Sequence, residues 1–275
     1  IILSGGATLE EVVVTHRSVG LLHSRVETIQ TQKINREELG RAACCNLGES
    51  FVTNPSVDVS YSDAATGAKQ IKLLGLSGTY VQMLTENIPN YRGAASPYGL
   101  GYVPGPWMQS IQVSKGISSV KNGYEAITGQ INVEFKKPQL PEADWVSANL
   151  FASSTNRYEA NADATLKLSK RWGTSLLAHY ENETKAHDGN DDGFVDIPQV
   201  EQYNLWNRWA YMGDHYVFQA GFKALSESRT SGQAHHTDMQ TGDLYKVGID
   251  TERYELFTKN AYIFNKEKNT NLALI

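Results

Sequence analysis

The pattern of apolar and polar positions changes near the middle of the chain. Up to about residue 137, short helical and strand-like stretches alternate with many turns. Beyond residue 143, segments of roughly ten residues alternate between apolar and polar side chains. Pro138 and Pro141 lie between the two regions and indicate a linker. The pattern predicts a small α+β domain followed by an antiparallel β domain.

In the first region, Asn35 and Glu38 have the spacing of a capping box, which predicts a helix that runs toward Leu39 and Ala42. A second short helix is predicted for residues 46–51. Runs of β-branched, apolar and aromatic residues predict strands at residues 70–74, 80–84, 111–114 and 129–135.

In the second region, the clearest alternation covers residues 158–169, which place apolar side chains on one face and polar side chains on the other. A soluble β-sandwich and a transmembrane barrel both produce this pattern. The connections favour the barrel, because tight turns near residues 170–173, 213–214 and 265–269 alternate with long loops at 185–201 and 227–251. The strands so delimited are 145–155, 158–169, 174–184, 202–212, 215–226, 252–264 and one from residue 270.

Composition excludes several classes of protein. The net charge of -5 and the absence of a basic block argue against nucleic acid as a partner. The sequence contains no run of eighteen apolar residues, no spacing typical of a catalytic triad, and no phosphate-binding or zinc motif, so neither a membrane-spanning helix nor an enzyme is expected. Cys44 and Cys45 are adjacent, which disfavours a disulfide between them; two buried thiols are expected, with a metal or redox site as the alternative.

Three stretches together resemble the TonB-dependent receptor family. Residues 9–15 (LEEVVVT) look like a TonB box, the extended segment that pairs with a strand of TonB. Residues 71–89 (IKLLGLSGTYVQMLTENIP) are similar to the plug pattern of a strand, Arg-Gly-Leu, a turn and a second strand. Residues 111–116 and 123–133 match the later plug strands and their glycine turns.

The resemblance implies an α+β plug domain inside a transmembrane antiparallel β-barrel of about 22 strands, of which this chain holds roughly the first seven. It divides the chain into an N-terminal segment with the TonB box (1–20), the plug (21–137) and the incomplete barrel (138–275). Residues 1–3 are expected to end a preceding extension domain. Leu74 and Lys115 stand where the family has plug arginines, so its plug-to-barrel salt bridges cannot be transferred, although Lys115 could pair with a barrel carboxylate.

The function implied by the resemblance is active import of a scarce nutrient across the outer membrane of a Gram-negative bacterium. The expected cargo is an iron or other metal complex, such as a siderophore, haem, copper or cobalamin; a glycan or peptide importer and a passive porin or adhesin-like barrel are the alternatives. Expected partners are TonB with its inner-membrane energising proteins, outer-membrane lipid, the small-molecule or metal-chelate ligand and a surface lipoprotein. The TonB-binding residues would be Glu10, Glu11, Val12, Val13, Val14 and Thr15.

Ligand contacts are expected from the plug apex and from a barrel loop. The apex is rich in glycine, proline and aromatic residues, which suits a shaped surface for a small molecule, although a loop that braces the plug against the wall is an equal alternative. The two loop histidines could contact a metal complex or remain solvated. The candidates are Tyr91, Arg92, Tyr98, Tyr102, Trp107, Met108, His235 and His236.

The loop at residues 188–196 follows the spacing of an EF-hand and predicts a Ca²⁺ site that would rigidify an extracellular loop. Gln199 replaces the usual bidentate Glu, and Glu201 is the expected substitute. An Asp- and Gly-rich turn without metal is the alternative. The predicted ligands are the side chains of Asp188, Asn190, Asp192 and Asp196 and the carbonyl of Phe194.

Overall fold

The structure, a computed structural model, describes residues 22–23, 31–41, 45–52, 54–118, 123–138, 145–235, 242–265 and 270–275. The candidate TonB box, the predicted strand at residues 1–3, Cys44 and His236 lie outside the described residues. The elements are β1 (Leu22–His23), β2 (Thr31–Asn35), α1 (Arg36–Arg41), β3 (Asp58–Asp63), β4 (Ala68–Leu73), β5 (Leu76–Ser77), β6 (Val81–Thr85), β7 (Ile88–Pro89), β8 (Met108–Lys115), β9 (Gly129–Phe135), β10 (Trp145–Ala152), β11 (Tyr158–Lys167), β12 (Trp172–Glu183), β13 (Gln199–Met212), β14 (Tyr216–Gly232), β15 (Lys246–Asn265) and β16 (Thr270–Leu274). Short 3-10 turns cover Glu49–Phe51, Gly78–Tyr80, Gly93–Ala95 and Gly105–Trp107.

The first region forms a mixed six-stranded sheet of order β1-β2-β8-β9-β6-β7 and a small sheet of order β3-β4-β5. The centre of the larger sheet is apolar because Ile111, Val113, Ile131 and Val133 of β8 and β9 are fully buried. The predicted strand at 129–135 is confirmed at both ends. This region is the predicted α+β domain, which we call the plug.

The predicted helix cap at Asn35 is confirmed, since its Oδ1 accepts a hydrogen bond from the backbone N–H of Glu38 at 3.0 Å. The helix is short, however, and α1 ends at Arg41. The predicted second helix is reduced to the 3-10 turn at Glu49–Phe51, whose first amide is capped by Asn46 Oδ1 at 3.2 Å.

The second region is a seven-stranded antiparallel meander in which β10 to β16 pair in chain order. We call this sheet the barrel wall. One of its faces packs against the plug. Successive connections alternate between two ends. We call the end with residues 153–157, 184–198, 233–235 and 242–245 the loop rim, and the end with residues 168–171 and 213–215 the turn rim.

The polar face of the wall, not the apolar face, is turned toward the plug. In β11, Glu159, Asn161 and Asp163 are buried, whereas Tyr158 and Leu166 of the opposite face are exposed. A soluble β-sandwich would bury its apolar face against protein, whereas the described residues leave this face exposed. An apolar outer face over a polar interior is the arrangement of a membrane barrel.

Aromatic residues on the outer face gather near both rims. Tyr180 and Tyr203 pair with ring centroids 4.9 Å apart toward the loop rim, and Trp172 and Tyr211 pair at 5.1 Å near the turn rim. Trp145 also lies at a strand end, where aromatic residues of membrane barrels often form an interfacial girdle. It faces inward instead, and Lys136 Nζ lies 5.0 Å from its ring centroid.

Candidate functional site

A hairpin tip of the plug carries the main contact with the middle of the wall. Glu86 and Asn87 connect β6 and β7 and both adopt positive φ, at 51° and 65°. Asn132 Oδ1 accepts the N–H of Asn87 at 2.8 Å. Such a conformation is uncommon for residues other than glycine, and it projects the Glu86 carboxylate toward the wall.

Glu86 forms a buried ion pair with the wall. Arg208 Nη2 lies 2.7 Å from Oε1 and 2.9 Å from Oε2 of Glu86, and both side chains are nearly inaccessible to solvent. Arg208 Nη1 also donates to the carbonyl of Lys136 at 2.8 Å, and Lys259 Nζ donates to the carbonyl of Glu86 at 2.8 Å. A buried pair this well bonded holds the hairpin firmly in place.

A second buried ion pair lies where the plug leaves its last strand. Lys136 Nζ contacts the two carboxylate oxygens of Asp163 at 2.9 and 3.0 Å, with both side chains buried. Burial lowers the pKa of Lys136, and Asp163 opposes this shift. Among the described residues Lys115 makes no salt bridge, so the predicted pairing of that residue with the barrel is not observed.

Four of the predicted ligand residues are in the interior. Tyr91, Tyr102, Trp107 and Met108 are at most 4% exposed. Lys223 Nζ donates to Tyr91 Oη at 2.9 Å and to the Tyr102 carbonyl at 3.2 Å. These contacts place the four side chains in the packed interior, although Tyr91 also lines a cavity beside Thr85 and Tyr254, and their predicted ligand contacts stay a prediction.

The bracing role of the apex rests on aromatic packing at its centre. Trp107 packs against Trp206 of the wall with ring centroids 6.3 Å apart, and Phe135 packs against Trp206 at 4.5 Å. Gly221 makes room for this cluster, since a Cβ there would overlap the Phe257 ring and lie 2.8 Å from Trp206 Nε1. For these residues the structure therefore supports bracing of the plug.

The remaining candidates at the apex and loop are accessible. Arg92 is half-exposed and pairs with Glu125 at 2.6 Å, and His235 lies 3.6 Å from Asp188 Oδ2. Tyr98 is partly buried and lies under the Arg229 guanidinium, which is 5.4 Å from its ring centroid. Arg92, Tyr98 and His235 thus each contact a different charged residue.

At the loop rim, one guanidinium joins the plug to two wall strands. Arg157 lies 2.7 Å from Glu49 of the plug, 2.7 Å from Glu159 of β11 and 3.0 Å from Glu181 of β12. These carboxylates raise the pKa of Arg157 against the effect of burial. Burial alone would raise the pKa of Glu49. The charge and hydrogen bond of Arg157 and the hydrogen bond from the Cys45 N–H outweigh this effect, so the pKa of Glu49 is lowered.

Beside this cluster is a cavity of about 200 Å³ between the plug apex and the wall. Arg229 closes one side, donating to the Thr66 carbonyl at 3.3 Å and bonding Glu227 at 3.2 Å. Gly67 has a φ of 68°, and a Cβ there would lie 2.8 Å from Arg229 Nη1. We call this space the rim cavity; it is lined by Asn46, Glu49, Tyr61, Gly67, Lys69, Pro97, Tyr98, Gly101, Phe151, Ser153, Thr155, Arg157, Glu181, Glu183, Ile197, Pro198, Val200, Gln202, Glu227 and Arg229.

Cys45 is a buried thiol, as expected for a small packed side chain. Burial, together with the charge of Glu159, raises its pKa. The thiol therefore stays protonated at neutral pH and is a poor nucleophile.

The Asp-rich loop is closed by hydrogen bonds to its own backbone. Asp188 accepts from the amides of Asp192 and Gly193 at 3.1 and 2.8 Å, and Asp196 accepts from Gly189 at 2.7 Å. Glu201 was the expected substitute ligand, but it lies on the outer face and accepts from Tyr203 Oη at 2.9 Å. That expectation is wrong because consecutive strand residues face opposite sides.

Within the described ranges, no group of three or more His, Cys, Asp or Glu side chains is arranged to hold a metal ion. None of the described helices is long and apolar enough to cross a membrane. The Ca²⁺ site at residues 188–196 stays a prediction.

Comparison with known proteins agrees with this architecture. Residues 24–130 match the family model "TonB-dependent Receptor Plug Domain". The vitamin B12 transporter BtuB of Vibrio vulnificus is 25% identical over 161 residues, which cover 58% of this chain and 26% of BtuB. The ferripyoverdine receptor of the outer membrane of Pseudomonas aeruginosa superposes with a TM-score of 0.68 at 16% identity, covering 88% of this chain and 33% of the receptor. The alcaligin outer-membrane receptor FauA of Bordetella pertussis superposes with a TM-score of 0.67 at 14% identity, covering 90% and 38%.

The chain thus spans between about a quarter and two fifths of the length of these proteins. The solved structures share the fold of this chain, a plug packed against antiparallel barrel strands.

Proposed function

Because this chain comprises a TonB-dependent receptor plug domain and the first strands of the accompanying barrel, we propose that it belongs to an importer of a metal complex across the outer membrane. The candidate cargo classes are ferric siderophores, haem, copper and cobalamin. The family and fold are those of transport receptors rather than enzymes.

One observation carries the proposal. The plug is fixed to the wall by ion pairs that are nearly inaccessible to solvent, at Glu86–Arg208 and Lys136–Asp163. A passive porin has no use for such a plug. A ligand can shift the plug only by its differential affinity for two states, so displacing contacts of this strength requires energy from outside the receptor.

TonB is the proposed source of that energy, and Glu10 to Thr15 are the proposed point of attachment. Their run of valines favours an extended backbone that can pair with another strand. Ca²⁺ bound by Asp188, Asn190, Asp192, Asp196 and the Phe194 carbonyl is proposed to rigidify the loop at residues 188–196. A surface lipoprotein is the remaining proposed partner.

The test is uptake by cells that produce the full-length receptor, with and without deletion of residues 10–15. Labelled ferric siderophores, haem, copper, cobalamin and glycans are supplied in parallel. We expect one ligand class to lose transport in the deletion while surface binding is retained. A matched deletion of residues 2–7, in the same N-terminal segment, serves as the control.

Transport that is unaffected by the deletion would overturn energised import and favour passive passage. Transport that is lost together with surface binding would indicate a misassembled receptor, which the control deletion identifies.

A further inference from the structure

The rim cavity lies at the loop rim, and outer-membrane barrels carry their longer loops on the extracellular side. Its lining residues show a consistent chemical bias. Its charged side chains comprise four carboxylates and three cations: Glu49, Glu181, Glu183, Glu227, Lys69, Arg157 and Arg229. The numbers alone decide little, so the partner of each group matters more.

The cations that line the rim cavity already have partners. Arg157 is within 3.0 Å of three carboxylates, and Arg229 bonds Glu227 and the Thr66 carbonyl. Lys69 Nζ lies 5.4 Å from the ring centroid of Tyr61, and burial lowers its pKa. An anionic ligand would therefore have to displace contacts that the protein makes with itself.

The hydrogen-bond acceptors that line the rim cavity are less well satisfied. Glu183 is 7% exposed and has no salt bridge among the described residues. Its carboxylate accepts a hydrogen bond from Thr155 Oγ1 at 3.3 Å. Gln202 is 1% exposed; its Nε2 donates to Glu227 at 2.8 Å, while its Oε1 receives no hydrogen bond. A buried acceptor without a donor is costly, so Gln202 Oε1 favours a ligand that brings an N–H donor, and the Glu183 carboxylate, which accepts one long hydrogen bond, has capacity for another.

The aromatic side chains of the cavity favour the same ligand. Tyr61 and Tyr98 each have a cation of the protein over the ring, at 5.4 Å in both cases. Ring faces attract positive charge, and combined with carboxylates they recognise ammonium groups. The cavity volume of about 200 Å³ is below the roughly 300 to 1,000 Å³ of pockets that enclose a whole drug-sized ligand. It suits one arm of a larger ligand.

We propose that the rim cavity binds a protonated amine carried on an arm of the imported metal chelate, with Glu183 and Gln202 Oε1 as its acceptors. The proposal rests on the proposed function for its cargo, but it selects within the cargo classes. Chelates that bear a free amine are favoured over the same chelates without a positive charge.

The test uses the full-length receptor in detergent and cadaverine, a flexible diamine, as the probe. We expect saturable binding of cadaverine by calorimetry and none of its N,N′-diacetyl form, because acetylation removes the charge while retaining the carbon chain. This comparison needs no variant. Equal binding of the two compounds, or no saturable binding of cadaverine, would overturn the proposal.

A variant pair locates the site. Glu183→Gln should weaken cadaverine binding about tenfold, as expected for loss of one charge-assisted hydrogen bond. Glu201→Gln is the matched control, because Glu201 lies near the same rim on the outer face. Equal affinities of the two variants would place the amine elsewhere and overturn the assignment.

The outcome is separable from that of the uptake experiment. If deletion of residues 10–15 abolishes transport but cadaverine does not bind, energised import stands and the amine site is wrong. If cadaverine binds as expected but the deletion leaves transport unchanged, the cavity is an amine site in a receptor that works differently.

Discussion

In the middle of the wall the plug is held by the solvent-excluded pairs Glu86–Arg208 and Lys136–Asp163, and Lys137 and Lys259 lie within 3.8 Å of the Glu86 carboxylate. At the loop rim one guanidinium is shared by three carboxylates beside a cavity. Arg208 and Glu86 are 2% and 3% exposed, but the side chains of Arg157 and Glu49 are 16% and 30% exposed. The difference matters because solvent screens exposed pairs and does not reach buried ones.

The two regions therefore suit different tasks. A buried pair that loses one partner leaves an uncompensated charge, so the middle contacts resist release. A shared, accessible contact can exchange partners at little cost, so the rim can respond to a ligand. The comparison places the firmest contacts of the plug in the middle of the wall and the more exposed contact, that of Glu49 with Arg157, at the rim.

The largest effect is expected for Arg208→Ala. It leaves Glu86 buried without its main partner, which should lower the free energy of plug opening by about 3–5 kcal/mol. The measurement is hydrogen exchange of the β6 and β9 amides in the full-length receptor. Arg171→Ala is the control, since its pair with Asp214 is more than half exposed at the turn rim and should matter by under about 1 kcal/mol.

The paired change Glu86→Leu with Arg208→Met should recover much of that loss, because no isolated charge remains. Similar protection in Arg208→Ala and Arg171→Ala would contradict a deep hold.

A smaller effect is expected for Arg157→Gln at the rim. The variant removes the hydrogen bond to Glu49 and the ion pairs with Glu159 and Glu181, and solvent can replace only the partly exposed Glu49 contact, so we expect about 2 kcal/mol. The loss should appear in exchange of residues 45–51 and leave β6 and β9 protected. Equal loss in both segments would mean that the plug opens as one unit and that the two regions do not differ.

How much of this could be predicted from the sequence depends on the face that a residue occupies. The strand at residues 129–135 and the seven wall strands were predictable because apolar side chains mark every second position. The loop end of β14 was missed because residues 227–231 are polar on both faces, and the loop end of β15 was missed although Val247 and Ile249 mark one face. Period-two alternation gives no signal where neither face is apolar.

The site was less predictable than the fold. Sequence reasoning sought arginines on the plug, but in the main ion pair the acid, Glu86, is on the plug and Arg208 is on the wall. A signal was present: Arg208 and Lys223 occupy inward positions of strands whose outward positions are apolar or aromatic. Inward charges need partners, although the sequence does not identify them. The Arg157 cluster joins residues more than 100 positions apart and has no local signal.

A third prediction concerns pH at the rim. The folded pKa of Glu49 is lowered from its usual 4.5, so its bond with Arg157 stabilises the plug fully above that value and is lost as pH falls through the lower folded pKa. The contribution should be under about 1 kcal/mol because the pair is partly exposed. Exchange of residues 45–51 should accelerate on acidification in the wild type and less so in Glu49→Gln. Identical pH profiles would contradict a role for Glu49.

The smallest effect is expected for Ca²⁺ at the loop of residues 188–196, which distinguishes one rim loop from the rest of the rim. Without a bidentate Glu, affinity should be at the weak end, with a Kd of about 1 mM, and about 1 mM Ca²⁺ would then stabilise the loop by roughly 0.4 kcal/mol. Hydrogen exchange of this loop should slow in Ca²⁺ but not in Mg²⁺, because Mg²⁺ tolerates irregular geometry poorly. Asp192→Asn should abolish the difference, and Asp214→Asn at the turn rim should preserve it. A loop that responds to neither ion would be an ordinary Asp-rich turn, ordered by its own amides.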